Sequence, residues 1–172
     1  MELIIFPWSD INLILNGCKT MARFVAEDVA PTSEVFQIDF ESGTYGINEK
    51  RADGSQVCMV ERELPYKPGD VLWLVHTWYF LHITSVRLER LHRIKAEDCV
   101  KEGAVVKPHY MRYDGEKCLA IHGRYKKEFI EYWDKNKTGT KHRWDDNPYV
   151  WVIEFEQVNY DQSKQILARS EE

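Results

Sequence analysis

The chain has 172 residues, 44% of them hydrophobic and 13% aromatic, which suffices for the core of one domain and leaves little room for a second. Its formal charge of −5 argues against a general nucleic-acid coat. No apolar run reaches the ~20 residues that span a bilayer, and the first residues lack the basic region and apolar stretch of a signal peptide, so a cytoplasmic protein without membrane contact is expected.

Leu3 to Phe6 is a short apolar run read as a strand, and Pro7 and Trp8 lead from it into a short helix. Ser9 is placed to cap that helix, Asp10 suits its first-turn dipole, and Ile11, Ile14 and Leu15 form its apolar stripe. Gly17 supplies the left-handed residue that stops it. Lys19 and Arg23 follow the stop, and two cations there are expected to build a cationic mouth suited to an anion or a polarised carbonyl. The alternative is that Lys19 satisfies the open carbonyls of the helix end.

Residues 26 to 63 form a hairpin excursion. Val35 to Phe40, Thr44 to Ile47 and Gln56 to Glu61 are its strands, separated by Gly43 and by the Asp53-Gly54 turn signal. The turn Pro65 to Asp70 opens an interior strand, Val71 to Thr77, on which His76 shares a face with Leu72 and Leu74. That placement makes His76 a half-buried core histidine, with a base-edge contact or proton shuttle as the alternative. Phe80 to Leu91 is the next strand, Lys95 to Glu102 a short helix closed by Gly103, and Gly123 to Asn136 a helix whose Tyr125, Phe129, Tyr132 and Trp133 make a core stripe. Pro148 to Val158 is the last strand, and residues 161 to 172 read as a frayed polar tail.

Charge is uneven. From Arg87 to Lys127 eleven lysines and arginines face six acidic residues, a local +5 that is either a phosphate-facing patch or a solvated surface. Its members are Arg87, Arg90, Arg93, Lys95, Lys101, Lys107, Arg112, Lys117, Arg124, Lys126 and Lys127. Cys18, Cys58, Cys99 and Cys118 are too dispersed for a zinc knuckle, and the six histidines lack paired ligand spacing, so neither a metal nor a cofactor is expected. Strands with helices inserted irregularly between them give an α+β fold, a small mainly antiparallel β-barrel with inserted short helices.

Three stretches together resemble the ASCH domain family, whose fold is a PUA-like β-barrel. They are Ile14-Leu15-Asn16-Gly17-Cys18-Lys19-Thr20-Met21-Ala22-Arg23, Pro65-Tyr66-Lys67-Pro68-Gly69-Asp70-Val71-Leu72-Trp73 and Ala96-Glu97-Asp98-Cys99-Val100-Lys101-Glu102-Gly103. The closing Trp144-Asp145-Asp146-Asn147-Pro148-Tyr149-Val150-Trp151-Val152-Ile153-Glu154-Phe155 is similar to the ending of phage and prophage members. On this resemblance residues 1 to 160 are a single ASCH domain into which the hairpins of 26 to 63 are inserted.

The resemblance implies RNA or nucleotide recognition in a cleft beside the barrel. Small bacterial members hydrolyse the acyl amide of acetylcytidine, using a lysine and threonines of a G-x-K-T-x-T motif and a glutamate from a later helix. The lysine matches Lys19, the glutamate Glu102, and the second threonine falls on Ala22. Alanine offers neither a nucleophile nor an oxyanion donor, and the hydroxyl of Thr20 substitutes only along a different backbone path. Glu102 as general base on a water, with Lys19 either lowering its pKa or binding the oxyanion, is the catalytic reading; a plain Lys19–Glu102 ion pair is the alternative. A second departure puts Val75-His76 where phage-type members carry Arg-Glu.

The ligand-binding set expected from sequence is thus Lys19, Thr20, Arg23, His76 and Glu102, with Trp8 or Trp78 stacking on a base. Nucleotide or RNA recognition ranks first, amidohydrolysis of an acylated pyrimidine nucleoside second, and contact with another protein through the hairpins third.

Overall fold

The computed structural model describes residues 2–30, 32–50, 56–104, 117–137 and 139–169. Its main sheet has five strands in the order β1 (Glu2–Ile4), β6 (Val71–Leu74), β7 (Phe80–Arg90), β8 (Tyr149–Val158) and β2 (Met21–Val25). β1 runs parallel to β6, and every other pairing is antiparallel. A separate three-stranded meander holds β3 (Glu34–Asp39), β4 (Thr44–Lys50) and β5 (Gln56–Glu63), within the segment read from sequence as a hairpin excursion; the Asp53-Gly54 turn lies outside the described residues. Four helices complete the described chain: α1 (Trp8–Leu15), α2 (Ala96–Lys101), α3 (Lys117–Asn136) and α4 (Tyr160–Arg169).

These mixed sheets and short helices make an α+β fold. The barrel expected from sequence is not formed among the described residues, because β1 and β2 remain the two edges of an open sheet.

Alternation along β8 decides which layer packs where. Trp151, Ile153 and Phe155 face one side, against Tyr45 and Ile47 of the meander and Ile11 and Ile14 of α1. Val150 and Val152 face the other, against Cys99 of α2 and Phe129 and Trp133 of α3. Of the aromatic stripe of α3, Phe129 and Trp133 are therefore core and Tyr125 packs at its edge, whereas Tyr132 is half-buried outside it; full burial of such a side chain contributes about 1.5–3 kcal/mol.

Several local expectations need correction. α1 starts one residue before Ser9, with Pro7 as its N-cap; the Ser9 hydroxyl meets Asp10 at 3.4 Å and caps nothing. Leu15 is exposed, and the buried stripe is Asp10, Ile11 and Ile14. β6 ends at Leu74. A tight hairpin follows, in which Thr77 Oγ1 donates to the Leu74 carbonyl (2.7 Å) and accepts from Tyr79 N–H (3.1 Å). His76 sits in that hairpin with φ 67°, exposed, and not on the core face of a strand. Residues 161 to 169 are helical and do not fray. Asn159 and Gln162 cap α4 reciprocally at 2.9 Å, and Ile166 and Leu167 pack on Val71, Phe80 and Val158. Among the described residues no helix is long and apolar enough to cross a membrane.

Candidate functional site

The stop of α1 is a Schellman turn: Cys18 N–H donates to the Leu13 carbonyl at 2.8 Å and Gly17 N–H to that of Ile14 at 2.9 Å, with Gly17 at φ 69°. The connector beyond it is pinned on both sides, since Thr20 N–H donates to Lys101 O (2.8 Å) and Thr20 O accepts from Phe155 N–H (3.0 Å). Gly103 lets the end of α2 close on this connector. Its φ is 84°, and a Cβ there would stand 2.8 Å from Leu13 Cδ1 and 3.5 Å from Lys19 Cβ.

This closure brings Lys19 and Glu102 together. Lys19 Nζ donates to Glu102 Oε2 at 2.7 Å and to the Glu102 carbonyl at 3.0 Å, and stands 3.5 Å from Asp10 Oδ2. Arg23 Nη1 donates to Glu102 Oε1, and Nη2 to Glu89 Oε1 and Asp98 Oδ2, each at 2.9 Å. Arg87 extends the network to Asp98, Glu89 and Glu154, and Lys101 closes it on Glu154 at 2.7 Å. Burial disfavours a charged Arg23, but Glu102 and Glu89 outweigh it and raise its pKa above the ordinary value.

The expected cationic mouth is accordingly absent. The side chains of Lys19 and Arg23 are 2% and 0% exposed, and carboxylates surround both. Neither ends as a bare cation facing water, because the acids that neutralise them arrive from α1, α2 and β7.

Above this floor opens a cleft of about 260 Å³ between β2 and α3. Phe6, Phe24, Phe129, Tyr132 and Trp133 give it aromatic walls, and Asp10, Lys19, Arg23 and Glu102 line its polar floor, with Asn136 and Lys137 also in the lining. Ala22 contributes only a methyl group to the lining. Among the described groups, Arg23 Nε is buried without a hydrogen-bond partner.

Thr20 is exposed and does not line the cleft. Trp8 and His76 stack on each other elsewhere, with centroids 5.9 Å apart and planes at 22°, and Trp78 is 91% exposed. The structure thus gathers Lys19, Arg23 and Glu102 and leaves Thr20, Trp8, His76 and Trp78 outside the cleft.

Sequence reasoning missed Asp10 and Tyr132 as site residues. The Tyr132 hydroxyl lies 2.7 Å from both Asp10 carboxylate oxygens, and burial, followed by this hydrogen bond, pushes its pKa up. Tyr132→Phe is expected to cost about 1–3 kcal/mol in urea unfolding, because buried Asp10 loses its donor. The sign of the pH effect follows from the raised pKa. The folded state holds the Tyr132 proton more tightly, so its contribution is present below pH ~10 and is lost as pH rises above it. Tyrosinate absorbance is expected to rise later in the parent than in an unfolded control, with Tyr45, raised by burial and by Asp28, behaving alike.

Of the basic segment, Arg87 and Lys101 are neutralised as above, Arg90 lies over the Tyr149 ring, Lys126 over Trp144, and Lys127 near Glu131. Lys107 and Arg112 lie outside the described residues, as do the side chains of Lys117, Arg124, Cys58 and Cys118. Cys18 and Cys99 are free thiols, and burial pushes Cys99 up to about 11. Among the described residues no group of three His, Cys, Asp or Glu is placed to hold a metal ion.

No protein-family model matches the chain, and no curated protein does. Among solved structures the chain is similar to the ASCH domain from Lactobacillus crispatus at 15% identity and a TM-score of 0.41, over 88% of this chain and 72% of that one.

Proposed function

We propose that the cleft between β2 and α3 binds the base of a neutral pyrimidine nucleoside, free or within RNA, and that the chain is an ASCH-like recognition protein. The observation that carries the reading is Arg23 Nε, a buried donor without a partner beside an aromatic-walled cleft. Such a donor costs about 1–3 kcal/mol until an acceptor reaches it, and a base carbonyl is an acceptor of the right kind. Charge supports a neutral ligand. Lys19 and Arg23 are matched within the lining by Asp10 and Glu102, and Lys137, the third cation of the lining, lies over the Trp133 ring, so the buried floor of the cleft is neutral. Size supports a single base, since about 260 Å³ falls below the ~300–1,000 Å³ of sites for drug-sized ligands.

Amidohydrolysis of an acylated cytidine is the second reading, favoured by the 2.7 Å contact between Lys19 and Glu102, the two residues the motif resemblance singles out. It ranks below recognition because both Glu102 oxygens already accept, from Lys19 and Arg23, and Ala22 brings no hydroxyl.

Titration of cytidine and N4-acetylcytidine, followed by calorimetry and by chromatography of the same samples, tests both readings. Saturable binding that falls at least about tenfold in Ala22→Leu, without product, supports recognition. Deacetylation by the parent that disappears in Glu102→Gln moves the reading to hydrolysis, and absence of both binding and product refutes the proposal.

A further inference from the structure

A larger groove, of about 450 Å³, lies where the meander meets the main sheet. Val35 and Ile38 of β3 and Leu88 of β7 supply its apolar surface, each packed at its inner edge against the core. The β3–β4 ladder shifts register between Val35 and Gln37, the kind of bulge that re-aims side chains, and Gln37 lines the groove beside it.

Two arginines stand over these walls. Arg90 has a fixed orientation: its guanidinium lies 4.0 Å from the centroid of the Tyr149 ring, and Nη1 donates to the Asn147 carbonyl at 3.1 Å. Tyr149 is itself anchored by its hydroxyl, which donates to Ser33 O at 3.0 Å. Arg93, in the 3-10 turn Leu91–Arg93, is exposed and has no acidic partner among the described residues. Glu89 also lines the groove, but its two oxygens accept from Arg23 (2.9 Å) and Arg87 (3.3 Å), which offset its charge. The groove therefore presents the exposed charge of Arg93 beside apolar walls, whereas Lys19 and Arg23 in the α3 cleft are buried among carboxylates.

We propose that this groove is a second ligand site, taking a phosphate ester whose phosphate meets Arg93 while its planar or apolar body lies on Val35, Ile38 and Leu88. Arginine suits the phosphate because its planar fork can meet two oxygens at once. The meander supplies one wall, so the inserted segment has a binding role independent of the α3 cleft.

The test compares adenosine 5′-monophosphate with adenosine and with inorganic phosphate by calorimetry on the full chain. The monophosphate is expected to bind at least about tenfold more tightly than either fragment. In Arg93→Gln the ratio of monophosphate to adenosine affinity is expected to fall to about one, with the circular dichroism of the parent, whereas Arg169→Gln on α4 keeps the ratio. A six-nucleotide RNA without a terminal phosphate separates the sources: tighter binding than the monophosphate, again lost in Arg93→Gln, identifies nucleic acid, and weaker binding identifies a free ester. Equal affinity for adenosine and its monophosphate, an undiminished ratio in Arg93→Gln, or no binding of either phosphate ligand overturns the proposal. Cytidine binding at the α3 cleft is read in the same variant and is expected to be unchanged, so the two sites fail separately.

Discussion

Arg23→Met is expected to destabilise the fold by about 3–5 kcal/mol, the range for breaking a buried ion pair by removing one partner. Three carboxylates depend on this guanidinium: Glu102, Glu89 and Asp98, each at 2.9 Å. Asp98 and Glu89 retain Arg87, and Glu102 retains Lys19, which keeps the loss from being larger. For a chain of this size, each kcal/mol moves the melting midpoint by roughly 2–4 °C, so a fall on the order of 10 °C is expected in a thermal scan. Adding Glu102→Gln to Arg23→Met is expected to cost less than the sum of the two single changes, since each removes a charge the other leaves exposed to mismatch. Strict additivity in urea titrations would show that the two groups act independently and that the network is a set of separate pairs.

Trp151→Ala is expected to have a comparable effect, about 3–5 kcal/mol, by a different route. Trp151 pairs in register with Phe24 of β2 and Leu88 of β7, and its ring meets Tyr45 edge-on at 5.0 Å and 82°. It is thus the joint between the five-stranded sheet and the meander, and its removal opens a cavity between layers. Amide exchange in residues 34–50 is expected to accelerate more than exchange in β6. Uniform acceleration across both sheets would mean that the meander unfolds only with the whole protein.

Much of the strand layout was legible because apolar alternation is local. β3, β4, β5, β7 and β8 fall within a few residues of where periodicity put them. The ionic floor was not legible in the same way. Lys19 and Arg23 stand beside a helix stop and read as solvent-facing cations, whereas their partner Glu102 is 83 and 79 positions away. Chain-distant neutralisation leaves no periodic trace. Spacing makes Tyr132 part of a core stripe, whereas it is half-buried and lines the cleft, held by Asp10 from 122 positions away. His76 departs for a more ordinary reason: alternation runs on past Leu74, whereas the Thr77 side chain ends the strand by bonding both arms of the hairpin. In α4 the Ile166–Leu167 pair and the Asn159 cap were present in the sequence, but a polar majority masked them.

The order of strands in the main sheet bears on how the protein is made. β8 is the last strand in the sequence, and it lies between β7 and β2. During synthesis β2 therefore waits for β8, its one sheet neighbour among the described residues, until residue 158 has left the ribosome, at about 5–20 residues per second. For several seconds its ladder edge and the apolar faces of β7 are open to solvent and to other nascent chains. A late central strand favours slow, all-at-once acquisition of the native sheet, with an aggregation-exposed edge until that strand arrives.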